Sequence, residues 1–400
     1  MNVVLVASFY TPIVSGGSEL VAQNQAEALA ARGHSVCVLT LGGPGSGVVR
    51  STLNGVCVVR VESDHLFFRE TRPSDLGLAA WHARDMYNRR MAAVVREHVL
   101  AWRADVVVCH SIHGWSAAIW PAVRSLGVPV VQVLHDLYLR CIRFSMFKER
   151  KCLRPCATCR TFRLSHRHLS RSLTAAVGVS RFVIDNLLGA GYFEGVPLRT
   201  HLYNVSHLDT RATATPALQG EEVVFGFIGA VSSAKGIEVL LSAFCAVARP
   251  HWRLRIAGSG TAEFEQGLRS RYCDQRIQFL GRQDAATFYV GLDVTVVPSL
   301  LNDSFPNVVL ESLIHGRPVI AARRGGIPEM IEDGTSGLLC EPESEGELGA
   351  ALVRFAKDIE KWRSRQQSIK AVAAPRYCDR DAWTSQWEVV LEDLASKKTA

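Results

Sequence analysis

The sequence predicts an α/β protein built from two doubly wound domains, on three observations. Short apolar runs alternate with amphipathic helical stretches, the alternation stops and restarts near the middle, and 400 residues exceed what one hydrophobic core usually supports. The first round reads VVLVASF at 3–9, a helical pattern from Ser18 to Arg32, VCVLT at 36–40, ADVVVCH at 104–110 and PVVQVLH at 129–135. These runs are continuously apolar, as strands are when crossover helices cover both faces of a parallel sheet. After Asn204 the chain turns polar through DTRATATPALQGEE, then restarts with VVFGFIG at 223–229 and a helical pattern from Lys235 to Val247. RLRIAG, IQFLG, DVTVVPS and PVIAA supply further strands. The expected division is a first domain over 1–205, a second over 206–375 and a closing helix within 376–400. In that helix Trp383, Trp387, Val390 and Leu391 recur at helical spacing ahead of Lys397 and Lys398. Doubly wound sheets bind ligands beyond the carboxyl ends of their strands, so a cleft between the domains is the expected site.

A content of 48% hydrophobic and 21% charged residues is that of a globular chain and excludes disorder. The opening MNVVLVASFY has no basic flank before it and no small-residue cleavage site after it, so it reads as a buried strand and not a signal peptide. No apolar run reaches the length of about 18 residues that spans a bilayer, and a cytoplasmic protein is expected. The net charge of +7 is concentrated in Arg140, Arg143, Lys148, Arg150, Lys151, Arg154, Arg160, Arg163, Arg167 and Arg171, which face only Glu149. Such a patch wants an anionic partner. Without a nucleic-acid reading motif, an anionic membrane surface or a diphosphate-bearing acceptor fits better than nucleic acid. Ile142, Phe144, Met146, Phe147 and Phe162 lie among these cations, either for shallow membrane insertion or as packing around the nearby cysteines.

Seven of the eleven cysteines are scattered and read as reduced thiols. The other four form Cys141-x10-Cys152-x3-Cys156-x2-Cys159. Four thiols in so short a stretch meet the count for a structural zinc or a cluster, with a redox pair or chance crowding as the other readings.

The most informative segment runs from Pro298 to Leu339, PSLLNDSFPNVVLESLIHGRPVIAARRGGIPEMIEDGTSGLL. Asp303 falls in a loop after a strand, and Glu311 in the first turns of the next helix. The helix start offers unpaired backbone N–H groups that suit a phosphate, while a carboxylate nearby accepts from ribose hydroxyls. Lys235 beside Gly236, at another helix entry, supplies a point charge where the backbone can approach a diphosphate closely. Gly16 and Gly17 end a loop before the first helix and allow similar approach. His135 and Asp136 stand at the end of an apolar strand, where reacting groups collect in such sheets, with His110 and His113 as weaker candidates for the same place. No G-x-G-x-x-G follows the first strand, Glu263 replaces the third glycine after Gly258-Ser259-Gly260, and no P-loop occurs, so a dinucleotide-dependent dehydrogenase and an NTPase are disfavoured.

The 298–339 segment resembles the donor-binding signature of the family 4 retaining glycosyltransferases (glycosyl transferases group 1). There E-x7-E is followed by a small-residue strand and a GG-x-x-E turn, here Gly316, Pro318, Gly325, Gly326 and Glu329. Residues 227–244 resemble the family's GR-x4-KG segment, with Ala230 where the family carries arginine, so that Lys235 serves alone or Arg323 or Arg324 fills in. The likeness extends to residues 11–40 and to the His135-Asp136 pair, and some members also carry cysteines after that pair. It implies the GT-B fold, two Rossmann-like domains facing across a cleft with the last helix crossing back to the first. It implies donor binding by Gly16, Gly17, Lys235, Gly236, Asn307, Val308 and Glu311, a donor-sugar contact by Asp303, and an acceptor side at His110, His135 and Asp136. Catalytic roles fall to His135, Asp303 and Glu311.

The implied reaction is retaining transfer of a hexosyl group from a UDP- or GDP-sugar to a glycan or lipid-linked acceptor, in cell-surface polysaccharide or glycolipid synthesis at the inner face of the membrane. No cofactor is required, since no D-x-D metal motif stands in an appropriate place. A nucleotide-sugar epimerase or hydrolase of the same fold and a catalytically silent nucleotide-sugar-binding protein are the alternatives, the latter kept by Ala230 and Asp303.

Overall fold

The computed structural model describes residues 1–14, 16–69, 71, 73–148, 150–206, 208, 220–341 and 343–397. Most of the polar stretch at 205–221, together with Glu149 and Lys398, lies outside the described residues. The chain folds as two units, one of Met1–Met146, Cys152–Asn204 and Arg380–Ala400, the other of Phe147–Lys151 and Val205–Asp379.

The first unit holds a sheet of β1 (Asn2–Val6), β2 (Ser35–Gly42), β3 (Val48–Leu53), β4 (Val56–Glu62), β5 (Val106–Cys109), β6 (Val130–Leu134), β7 (Ala175–Gly178) and β8 (Leu198–His201). Their order is β3-β4-β2-β1-β5-β6-β7-β8, parallel throughout except for the β3–β4 hairpin. Asn54 and Gly55 close that hairpin with φ of 48° and 79°, the pair of left-handed residues that a two-residue turn of matching twist requires. Val3 to Val6 and Val106 to Cys109 are wholly buried at the centre of the sheet. The helix Arg380–Ser396 belongs to this unit and buries Trp383, Trp387, Leu391 and Leu394. It lies on the first helix, Gly17–Ala31, where Arg380 donates to the Asn24 carbonyl at 3.1 Å. Glu388 accepts from Arg32 at 2.7 Å and pairs with His34 at 3.0 Å.

The second unit holds β9 (Val223–Ile228), β10 (Trp252–Ala257), β11 (Ile277–Gly281), β12 (Val294–Val297), β13 (Val319–Ala322) and β14 (Gly337–Cys340), all parallel, in the order β11-β10-β9-β12-β13-β14. Phe225, Phe244, Trp252, Phe355 and Trp362 pack its core. One buried ion pair ties helix to sheet: Arg363 meets Asp293 at 2.9 Å, and the same carboxylate accepts the Val224 N–H at 2.8 Å. Paired and hydrogen-bonded in this way, the two charges are tolerated away from water.

Candidate functional site

In the second unit, β12 runs into a loop over 298–306 that carries Asp303, and the helix Asn307–Ile314 follows with Glu311 at its fifth position. Pro306 precedes that helix and no side chain caps it, so its first turn presents backbone N–H groups at Asn307 and Val308. Glu311 is 6% exposed and accepts the Tyr289 hydroxyl at 2.9 Å. Burial pushes its carboxyl up to about 7, against the smaller opposite pull of the Tyr289 bond. Lys235 grips both oxygens of Asp303, at 2.7 and 2.9 Å.

The two glycine motifs shape this same loop. Gly236 has φ +74°, and a Cβ there would stand 1.9 Å from the Pro298 carbonyl oxygen. At Gly325, with φ +57°, a Cβ would stand 2.0 Å from the Asp303 carbonyl oxygen, which also accepts the Gly326 N–H at 2.8 Å. Both motifs therefore press backbone against the Asp303 loop from different elements, which only glycine permits. Glu329 ends the short turn Ile327–Glu329 behind them. Ala230 is exposed just beyond β9. Both arginines expected as replacements for the missing cation make ion pairs with acidic side chains. Arg323 pairs with Asp333 at 3.4 Å and Glu341 at 3.9 Å, and Arg324 pairs with Glu341 at 3.4 Å and with Glu343.

In the first unit, Gly16 precedes the first helix with φ −169°, extended backbone open to any residue, and donates its N–H to Glu19 at 2.7 Å. Gly17 is the first residue of that helix. His110 and His135 end neighbouring strands β5 and β6, and their rings stack with Nδ1 of His110 2.9 Å from Nε2 of His135. Burial lowers His110 well below the ordinary histidine range and His135 to about 4, so both rings are neutral near pH 7. Asp136 accepts the Tyr138 N–H at 2.7 Å, and burial raises it to about 6. His113 pairs with His65 at 2.9 Å and lines one small pocket with His110, His135 and Asp136.

Behind them runs a buried network that sequence reasoning did not pick out. The Tyr138 hydroxyl donates to Asp85 at 2.6 Å, and Arg163 stands 3.5 Å from the same carboxylate and 4.2 Å from the centre of the Tyr138 ring. Arg163 is 3% exposed, so this member of the basic segment serves the core and not the surface. A cavity of about 370 Å³ opens where β4 ends, lined by Glu62, Asp64, Trp81, Arg84, Asn88 and Arg90 among others. These residues are scattered over thirty positions of ordinary polar sequence and carry no spacing signal.

Of the four clustered cysteines, Cys159 joins two others, lying beside Cys141 and hydrogen-bonded to Cys156. Cys141 and Cys159 are buried with sulfurs 3.7 Å apart, and Cys156 is exposed at the start of the helix Ala157–Phe162. N–H groups of Cys159 and Thr158 hold the Cys156 thiol below its ordinary range. Cys152 is half-buried. Among the described residues no three His, Cys, Asp or Glu side chains are grouped to hold a metal ion. No helix among them is long and apolar enough to cross a membrane.

Two largely parallel sheets, one in each unit, give the chain the GT-B fold of glycosyltransferases. The profile described as "Glycosyl transferases group 1" matches residues 222–358 and that described as "Glycosyl transferase 4-like domain" matches 16–201, and the chain belongs to this family of glycosyltransferases. An uncharacterized 42.6 kDa protein of the cps region of Klebsiella pneumoniae is 26% identical over 337 residues, covering 82% of this chain and 87% of that one. A D-inositol 3-phosphate glycosyltransferase of Corynebacterium kroppenstedtii is 34% identical over 152 residues, 34% of each chain. Among solved structures, sucrose-phosphate synthase from Thermosynechococcus elongatus superposes with a TM-score of 0.77 at 18% identity, over 98% of this chain and 99% of that one. Anabaena HepE in complex with UDP-glucose does so at 0.71 and 18%, with the same coverage.

Proposed function

We propose that this glycosyltransferase moves a hexosyl group, with retention, from a UDP- or GDP-sugar to a glycan or lipid-linked acceptor, in the assembly of a cell-surface polysaccharide or glycolipid. The observation that carries the reading is Glu311, a buried carboxylate on a helix whose N-terminus is open to a phosphate. The ribose hydroxyls donate to Glu311, the diphosphate lies at Asn307 and Val308, and Lys235 and Asp303 meet the phosphate and the sugar. HepE binds UDP-glucose, which favours a UDP-sugar, and the Klebsiella relative from a cps region favours surface polysaccharide.

The bond between C1 of the sugar and the phosphate oxygen breaks, its electron pair leaving with the nucleoside diphosphate. The acceptor hydroxyl joins C1 on the same face and passes its proton to the departing phosphate. His135 stands at the reacting sugar, and the polar cavity at the end of β4 receives the acceptor saccharide.

The basic segment docks the protein on anionic membrane. Arg143, Lys148, Lys151, Arg154 and Arg160 are exposed, as are Leu153 at 85% and Leu164 at 75%. Of the aromatic residues expected either to insert or to pack, Phe144 lies tilted against His113 and Tyr138 yet stays 37% exposed, and Phe162 lies tilted against His82.

The test is transfer from radiolabelled nucleotide sugars to a lipid extract. Glu311→Gln keeps the side-chain volume while removing the charged acceptor, and should lower kcat/KM about a hundredfold with the fold intact. Near-native turnover in that variant would remove Glu311 from the site.

A further inference from the structure

Besides Glu19 and Asn24, the buried residues of the first helix include one more polar side chain, Gln25, 1% exposed, with Val21, Ala22, Ala26 and Leu29 buried around it in sequence. Its amide oxygen Oε1 lies 2.7 Å from Nε2 of His110, whose Nδ1 faces Nε2 of His135 at 2.9 Å. The backbone of His110 is fixed independently. Its N–H donates to the Val6 carbonyl at 2.9 Å, and its carbonyl accepts from Gln132 at 2.6 Å. Gln132 is itself oriented by the Trp120 indole N–H, which donates to its oxygen at 3.1 Å. The three groups Gln25, His110 and His135 thus form a chain with little freedom at its centre.

Two neutral imidazoles can share a hydrogen bond only if one donates and the other accepts. With the Gln25 oxygen toward His110 and the Gln25 amide nitrogen buried without a partner among the described residues, His110 carries its proton on Nε2, and its Nδ1 is left as an acceptor. His135 must then donate from Nε2, and its own Nδ1 keeps a lone pair. That nitrogen has no partner among the described residues.

We propose that Gln25 is a positioning residue for the transfer: acting through His110, it holds His135 as the Nε2–H tautomer and so aims the Nδ1 lone pair at a hydroxyl of the reacting sugar. The proposal rests on the reading of His135 as a residue at the reacting centre. A core glutamine that merely satisfied His110 would leave the proton position on His135 without consequence. A positioning residue makes that proton position the thing selected.

The experiment measures the tautomer and the turnover separately. In protein labelled with 15N-histidine, His135 should be protonated at Nε2 alone. Gln25→Met removes the acceptor at similar volume: His135 should then populate both tautomers, and kcat should fall about tenfold while the donor KM moves less than about twofold. Gln25→Glu draws a proton onto the His110 ring, so that Nδ1 of His110 donates, and His135 should switch to the Nδ1–H form with a similar fall in kcat. His135 protonated at Nδ1 in the unsubstituted protein, or a tautomer that neither variant moves, overturns the proposal. Should Gln25→Met fail to fold, the tautomer in the unsubstituted protein and in Gln25→Glu still decides. A moved tautomer with unchanged turnover sustains the relay from Gln25 and instead removes His135 from the reacting centre, which separates the two readings.

Discussion

Glu311 carries a pH dependence with a definite sign. Its folded value of about 7 lies above the ordinary 4.5, so the folded chain holds this proton more tightly than the unfolded one. Its contribution to stability is then fully present below about pH 4.5 and is lost as pH rises through 7. Donor binding runs the opposite way, because ribose hydroxyls donate to the ionised form. UDP should bind about tenfold more weakly at pH 6 than well above pH 7, and calorimetric titration of Glu311→Gln should lose this difference while keeping whatever arises from UDP itself. Equal pH dependence in both proteins would detach the nucleotide from this carboxylate. Glu311 and Lys235 were legible from sequence because glycines and a proline stand at fixed offsets around them. Tyr289 was not, since it reaches Glu311 from another helix, 22 positions upstream, and spacing does not encode a partner brought by the fold. Gln25 was hidden for the opposite reason: it closes a mid-helix polar run, Gln23-Asn24-Gln25, that reads as a solvated face.

At the scale of elements, the glycine turns are the most exposed to substitution. Gly325→Ala combines left-handed backbone with a Cβ driven against the Asp303 carbonyl, and should cost more than about 3 kcal/mol. Thermal melting should show the loss, and UDP should rescue less of it than in the unsubstituted protein, because the displaced loop carries Asp303. A melting temperature unchanged by Gly325→Ala would mean that the turn is free to move away. Strands with continuous apolar runs, such as β1, β5 and β12, announced themselves in the sequence. By contrast β3 is exposed along almost its whole length and reads VVRSTL, and β7 is four small residues, AAVG. An edge strand in water and a short strand buried between neighbours both lack the pattern that periodicity detects. The Asn54-Gly55 turn was the available signal for the first of them.

For the molecule as a whole, the basic surface predicts behaviour that salt should control. The protein should float with anionic vesicles at low ionic strength and be released at high, since each engaged cation contributes about 1 kcal/mol near the surface before screening. Charge reversal at Lys151, Arg154 and Arg160 should abolish flotation and spare UDP binding. Arg163→Glu should unfold the first unit instead, because it sets two carboxylates against each other in the core. Flotation insensitive to vesicle charge would defeat membrane docking by this segment.

The helix Arg380–Ser396 completes the first unit, yet all of Val205–Asp379 is built in between. During synthesis at about 5–20 residues per second, the first unit therefore waits roughly 10 to 40 s after its last strand emerges before its closing helix arrives. Throughout that interval the face of the first helix that Arg380–Ser396 will cover stands open to the cell, and the second unit receives its last residue before the closing helix begins. The order of the genetic message and the order of maturation are thus reversed: the half made second is the half able to finish first. Nascent chains halted before position 380 are the species on which chaperones would be found.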